Sequence, residues 1–449
     1  MKKIVILIII VIVLSFMSFI SFNYYYNKYY VASIPENIKV SLNNEKLNIS
    51  YEINDSSDRN QIYYLISNIK KTPSVDDSNW KIVNNNEINY DLDENVYYVY
   101  LKNQDNLIFN VQDTNKYGTI KDFKTNKEKI YLPLDSAYTP TLTFIKLGNV
   151  DETITWKSDN EKVAYVNEGG TIFSNKNGEA KITATIMDKS VSIDVVVSKL
   201  IVKRPKKYNY KKPYISCKKH SKKDNDLLDQ ILKDRINDAG YKTRAGAVEA
   251  ARFLSLEFPY RINYFSENGR LSTNGIDAEG RYYHKGLYLH SSRYKDIGKK
   301  RSGPGAWGCM IYSGPAHGIR RNGLDCSGFI SWVLYNGGFD VKDVGAGLSS
   351  NLDLTDYGKR VKFTKDLITN KKIKVGDLLS SGGPGGGHIA IIAGEDDKNY
   401  YVAESLWTSP NIGVVMMRYS KKTIYNTYYY VMLMDKYYKK DGNLTKMWY

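Results

Sequence analysis

The chain opens on a stretch whose hydrophobic positions show no periodicity. From Ile4 to Phe22 every residue is apolar except three serines, and none is charged. A helix of about 20 apolar residues spans the hydrocarbon core of a bilayer, so residues 4–22 are expected to cross a membrane. Lys2 and Lys3 predict that the short end stays inside, and Tyr24, Tyr25, Tyr26, Tyr29 and Tyr30 fit an interfacial aromatic belt. A cleaved signal peptide is the alternative; the apolar run exceeds a usual signal core, and Val31-Ala32-Ser33 is the nearest approach to a cleavage site. Either way the remainder is exported, and the expectation is a single-pass protein of the cell membrane with its C-terminal domains extracellular.

Past residue 30 the pattern becomes strand-like. Ile38–Leu42 and Leu47–Tyr51 alternate apolar and polar residues, and Val96–Leu101 is rich in β-formers. Asn, Asp and Ser clusters separate these runs as turns do. Residues 31–128 are therefore expected to form a β-sandwich with Trp80 in its interior and no chemistry of its own. A second β module follows over 129–199. Ile154-Thr155-Trp156, Val163–Val166, Gly169-Gly170-Thr171-Ile172 and Gly178–Thr185 place Trp156 and alternating Val, Ile and Ala side chains in an inter-sheet core, with glycines in tight turns. This module resembles the bacterial Ig-like domains of the second group, a resemblance that implies a spacer or adhesive role.

Alternation ends at Leu200. Residues 200–223 contain Pro205 and Pro213 and read as a linker. From Asp224 to Tyr449 helical and strand patterns mix. A helix is expected over Thr243–Glu257, capped by Thr243 and closed by Pro259. A second begins at Cys326, with Asp325 as its cap and Phe329, Ile330, Val333 and Leu334 on one face.

Charge alters the picture in one place. The 449 residues include 64 Lys and Arg against 48 Asp and Glu, a net +16. Ten of the basic residues, and no acid, fall between Ile201 and Lys223. Such a block is a solvated linker or attracts polyanions. On an exported chain, anionic wall polymers or lipid headgroups fit better than nucleic acid, and no specific nucleic-acid partner is expected. Three cysteines, Cys217, Cys309 and Cys326, are too few for a disulfide scaffold.

The candidate chemistry lies in two blocks. Cys326 opens a helix, where unpaired backbone N–H groups and the helix dipole favour a thiolate. His388 opens the apolar run Ile389–Ala393 directly after Gly385-Gly386-Gly387 and can serve as general base. Asp325-Cys326-Ser327-Gly328-Phe329, Gly376-Asp377-Leu378 and His388-Ile389-Ala390-Ile391 resemble the signature blocks of the NlpC-type cell-wall cysteine peptidases, which are papain-like enzymes; the similarity covers roughly residues 248–436. The resemblance implies hydrolysis within peptidoglycan stem peptides, between D-glutamate and the diamino acid, without metal or other cofactor. It also implies a polar third residue on the strand after the histidine. Glu404 is the candidate there, the alternatives being that it is a strand-end charge or that Ala403 occupies the slot. Asp325, Ser327 and Tyr264 would by resemblance recognise the amine end of the stem peptide. Between Tyr264 and Cys326 lie 61 residues, an insert expected to form a lid or groove rim.

The fold class expected is thus multidomain: an N-terminal transmembrane helix over 1–30, two all-β Ig-like sandwiches, a basic linker and a C-terminal α+β papain-like peptidase domain over 224–449. Three rivals stand beside the endopeptidase. One is a wall-binding or adhesion protein with an inactive peptidase-like domain. Another is an N-acetylmuramoyl-L-alanine amidase of the related group that uses Cys, His and Glu. The last is a metal site built from Cys217, His220, Cys309 and His317, against which stands a Cys217–Cys309 disulfide.

Overall fold

A computed structural model describes residues 2–448 except 44, 54–56, 113, 211–214, 216–221, 261, 263, 265–309, 315–317, 322–323, 340–357, 382–386 and 408–412. The chain divides into two units, residues 1–130 with 135–196 and residues 131–134 with 197–449.

In the first unit the apolar run forms helix α1 (Lys2–Tyr30). Its segment Ile4–Tyr30 is long and apolar enough to cross a membrane, as an anchor or a signal sequence would be. The C-terminal end of α1 is tied to the β module that follows. Arg59 donates to the Tyr30 carbonyl at 2.8 Å and pairs with Asp105 at 2.6 Å. The Ala32 N–H donates to Asp105 and the Ser33 N–H to the Arg59 carbonyl, and both residues are buried.

The first β module has two sheets. Antiparallel strands Pro35–Asn43, Lys46–Ile53 and Glu87–Asp91 form one, and Lys81–Ile82, Tyr63–Ser67, Tyr98–Lys102 and Ile108–Asn110 the other. Leu47, Ile49, Ile62, Val99 and Leu101 fill the space between them. Trp80 does not join this core. It stays partly exposed with Nε1 donating to the Ser74 carbonyl at 2.8 Å and the Lys102 ammonium over its ring at 5.1 Å. A loop that offers the indole its own acceptor and a cation removes the need to bury it.

The second β module begins earlier than residue 129. Gly118–Thr125 pairs antiparallel with Leu142–Gly148, and its Ile120 and Phe123 pack with Ala184, Ile186 and Trp156. Ile154–Ser158, Gly178–Ile186 and Lys189–Val197 are consecutive neighbours in the main sheet. Gly170 sits in the left-handed region (φ +77°), where a Cβ would come 2.5 Å from Trp156 Cζ2. Glycine is therefore demanded twice over, by the turn and by the indole that lies on it.

In the second unit α2 (Lys222–Ala239) and α3 (Arg244–Arg252) precede a π turn (Phe253–Glu257) closed by the Phe258 N–H on the Phe253 carbonyl. Thr243 caps α3 as expected, accepting the Gly246 N–H at 3.2 Å. Helix α4 (Cys326–Asn336) is mostly apolar and buried from Cys326 through Leu334, as a helix clothed all round by its neighbours must be. The sheet comprises β1 (Lys359–Lys362), β2 (Leu378–Ser380), β3 (Ile389–Glu395), β4 (Asn399–Leu406), β5 (Gly413–Ser420) and β6 (Tyr430–Leu433). Its order is β1-β6-β2-β3-β4-β5, and every pair is antiparallel. One face, with Ile389, Ile391 and Ala403, packs on α3 and α4; the other, with Ala390, Ile392, Tyr400 and Val402, is covered by Phe363, Ile424 and Tyr428.

Residues 200–210, expected as the start of a solvated linker, are part of this unit. Leu200, Ile201 and Arg204 are buried. Arg204 reaches Glu257 (Nε–Oε1, 2.5 Å), Glu249, the Thr445 hydroxyl (3.1 Å) and the Lys446 carbonyl (2.9 Å). Tyr208 packs against Tyr401 and Trp448, with the Arg418 guanidinium over its ring. Charge alone marks this stretch as solvated. Two buried acids on α3 and the π turn make the opposite arrangement favourable, because a buried carboxylate needs a partner.

Candidate active site

Cys326 is the first residue of α4. Asp325 caps that helix, its Oδ1 accepting the Gly328 N–H at 2.7 Å and the Ser327 hydroxyl at 3.1 Å. The start of α4 is fixed to the sheet by the Ser405 hydroxyl of β4, which donates to the Leu324 carbonyl at 2.7 Å. Among the described residues Cys326 is a free cysteine, and it is 7% exposed. Its Sγ lies 4.0 Å from the Gly387 carbonyl oxygen.

His388 immediately precedes β3. A reciprocal pair of bonds with Ser381, at the end of β2, holds its backbone: the His388 N–H donates to the Ser381 hydroxyl (3.1 Å) and the Ser381 N–H to the His388 carbonyl (3.0 Å). The ring Nε2 lies 2.6 Å from Glu404 Oε2, which leaves Nδ1 for Cys326. Pairing Ile391 with Ala403 sets Glu404 on the same sheet face as His388. Burial works against the imidazolium, but its hydrogen bonds to Cys326 and Glu404 and the Glu404 charge outweigh it, raising the His388 pKa from 6.5 to about 9.

Glu404 is 0% exposed. Besides His388, it accepts the Tyr428 hydroxyl on Oε2 at 2.6 Å and the Tyr419 hydroxyl on Oε1 at 2.8 Å. Burial, then the Glu404 charge, pushes both phenols up.

Tyr264 is held near β5, where the Val414 N–H donates to the Ile262 carbonyl at 2.9 Å. Its phenol is pushed up by burial and then by Cys326 and Asp325 beside it. Its ring meets Trp407 edge-on, centroids 5.2 Å apart. Trp407 is 66% exposed, and the His388 side chain is 22% exposed, so the sulfur lies beneath a rim that solvent reaches.

Of the expected residues, Cys326, His388 and Glu404 form a chain, Tyr264 lies beside Cys326 and Asp325, and Ser327 joins Asp325 in the cap of α4. Asp377, from the second sequence block, does not reach the sulfur. It is a brace, pairing with Arg244 at 3.0 Å and accepting the N–H groups of Lys374 and Met434, both at 2.9 Å. Gly376 before it has φ +98°, and a Cβ there would meet Arg244 Cγ at 2.7 Å. Sequence reasoning missed Tyr419, Tyr428 and Trp407. Nothing separates the first two from the other tyrosines among 39 until the strand register is known; Trp407 carried a signal, as an aromatic directly after the Glu404 strand.

Cys217, His220, Cys309 and His317 lie outside the described residues, so neither the metal site nor the disulfide is addressed. Among the described residues no group of three or more His, Cys, Asp or Glu is arranged to hold a metal.

Comparison with known proteins bears on the second β module. Residues 123–196 match the bacterial Ig-like domain (group 2). The chain carries such a domain. The match begins six residues before the boundary expected at 129, in agreement with the strand Gly118–Thr125. No curated protein matches the chain. Similar solved structures include domains 4 and 5 of the S-layer protein SbsC, at 18% identity and TM-score 0.17, covering 22% of this chain and 63% of that one. A bacterial Ig-like domain-containing GH10 xylanase from termite gut is 18% identical at TM-score 0.13, covering 26% of each chain. The insect immune protein hemolin is 12% identical at TM-score 0.21, covering 37% of this chain and 46% of that one. The chain spans less than two thirds of each of these proteins.

Proposed function

We propose that this protein is a membrane-tethered cysteine peptidase that cleaves peptidoglycan stem peptides at the cell surface, on a C-terminal domain of papain-like fold. The observation that carries the reading is the chain from Cys326 through His388 to Glu404, assembled at the N-terminus of a buried helix. With its pKa near 9, His388 carries a proton at neutral pH, and an imidazolium beside a sulfur at a helix start favours the thiolate. The thiolate attacks the scissile carbonyl to give a thioester. The leaving amine takes its proton from His388, and water, deprotonated by His388, releases the acid and restores the thiolate–imidazolium pair. The backbone N–H of Cys326 faces the developing oxyanion. Glu404 keeps the imidazole oriented and supports its charge, as carboxylates do in other triads.

The substrate class and the bond cut, between D-glutamate and the diamino acid, rest on the resemblance of the Asp325–Phe329, Gly376–Leu378 and His388–Ile391 blocks. By the same resemblance Asp325, Ser327 and Tyr264 meet the amine end of the stem peptide; that Tyr264 lies beside Cys326 supports this. The contacts at Tyr30, Ala32 and Ser33 favour a retained anchor, because cleavage after Ser33 would remove groups that the first β module uses. The two β modules then serve as a spacer, and the exposed lysines of 201–223 remain candidates for anionic polymers or headgroups. Arg204 does not, being sealed in ion pairs.

The test is digestion of purified peptidoglycan by wild type and by Cys326→Ala. New amine ends from wild type and none from the variant, with wall binding unchanged, is the expected result. No release by wild type sinks the enzyme and leaves the wall-binding reading. One observation favours a second reading: a carboxylate, Glu404, behind the histidine fits the amidase group as well. Mass spectrometry of released fragments separates the two, since an amidase frees the whole stem peptide at its L-Ala end.

A further inference from the structure

The environment of Glu404 contains more than the peptidase reading requires. Glu404 is 0% exposed, so hydrogen-bond partners must stand in for the water its carboxylate lacks. A Glu404 without them would be free to turn away from His388 or to share its proton. Two phenols oppose this. Tyr428 shares Oε2 with His388, at 2.6 Å each, and Tyr419 occupies Oε1 at 2.8 Å. Both come from outside the histidine strand: Tyr419 from β5 and Tyr428 from the segment leading into β6. Neither brings a charge of its own. Among the described residues Tyr208, on the 200–210 segment, also feels the Glu404 charge, and Cys326 reaches His388 from the other side.

We propose that Tyr428, assisted by Tyr419, is a positioning residue that holds Glu404 ionised and fixed on His388, so that the shared proton stays on the imidazole. Donor bonds to an ionised carboxylate are short and strong, and they favour the charged form over the neutral one. Phenols suit the task because a Lys or Arg there would compete with His388 for the carboxylate. Tyr428 is the more important of the two, since it sits on the oxygen that His388 uses. This inference rests on the catalytic reading of Cys326 and His388, but its test needs no substrate.

The test uses the full chain and reads alkylation of Cys326 by iodoacetamide across pH, located by peptide mass mapping. The wild-type midpoint is the reference. Tyr428→Phe keeps the ring and loses the hydroxyl. It should slow acid-side alkylation about tenfold, the worth of one charge-assisted hydrogen bond, and move the midpoint to higher pH. Tyr419→Phe should move it the same way by less, and also reports should Tyr428→Phe fail to fold. Glu404→Gln should shift the midpoint at least as far, and adding Tyr428→Phe to it should change nothing more, since the hydroxyl acts only through that carboxylate. An unmoved midpoint in Tyr428→Phe, or a further shift in the double variant, overturns the proposal. If the midpoints move as stated while peptidoglycan stays intact, the relay stands and the wall substrate falls.

Discussion

Replacing Arg204 by alanine tests how the residues before the candidate catalytic domain are used. Its guanidinium is fully buried and serves Glu249 and Glu257, whose side chains are 0% and 3% exposed. Arg252 remains on Glu249 at 2.8 Å and Arg235 on Glu257 at 3.0 Å. Each acid therefore keeps one cation, while the buried cluster loses one of three. Removing one partner of a buried ion pair costs about 3–5 kcal/mol. For a unit of this size that lowers Tm by roughly 10 °C. The change also carries a pH signature. Burial raises the Glu257 pKa, but Arg204 and Arg235 outweigh it and hold the carboxyl below its ordinary value. A depressed carboxylate stabilises the fold above its unfolded pKa and loses that contribution as pH falls through the folded one. Without Arg204 burial gains weight, so acid unfolding should begin at higher pH in the variant. The assay is thermal melting of the full chain in detergent over a pH series, with the exposed Lys206→Ala as control. If Arg204→Ala melts within a degree or so of that control, residues 200–210 are a tether and the packing argument is wrong.

Three further outcomes are expected. Gly170→Ala forces a Cβ into the left-handed region and onto Trp156, so the Ig-like domain should lose about 2 kcal/mol or more, read from its own melting transition. The His388 pKa is raised from 6.5 to about 9, so the stability it contributes is fully present below 6.5 and lost as pH rises through 9; this is worth about 3 kcal/mol at most. Melts across that window should decline in wild type and not in Glu404→Gln; equal slopes would show that Glu404 does not hold the proton. The membrane fraction should retain the full-length chain through alkaline carbonate extraction, whereas release of a chain beginning near Ser33 would mean that the helix is a cleaved leader.

Much is legible in the sequence by itself. The 4–22 run has one physical use, because uninterrupted apolar length is intrinsic to the segment. Strand alternation and the Trp156, Gly170 and Gly178 positions announced the Ig-like domain, since a sandwich writes its two faces into consecutive residues. The caps Thr243 and Asp325 were equally plain, because a cap is a local hydrogen bond. Cys326 and His388 could be named because helix start and strand mouth are local features too.

What tertiary structure alone decided is which distant groups share a buried charge. Glu404 faces His388 only once the β3–β4 register is set, and the two phenols on it come from elsewhere in the sheet's sequence. Arg204 looked like one cation in a solvated basic run until α3 and the π turn placed two carboxylates around it. Trp80 looked like core until its loop supplied an acceptor. In each case the side chain's identity was written in the sequence, but whether it is solvated, paired or buried depends on neighbours tens to hundreds of residues away, and only the folded chain brings those together.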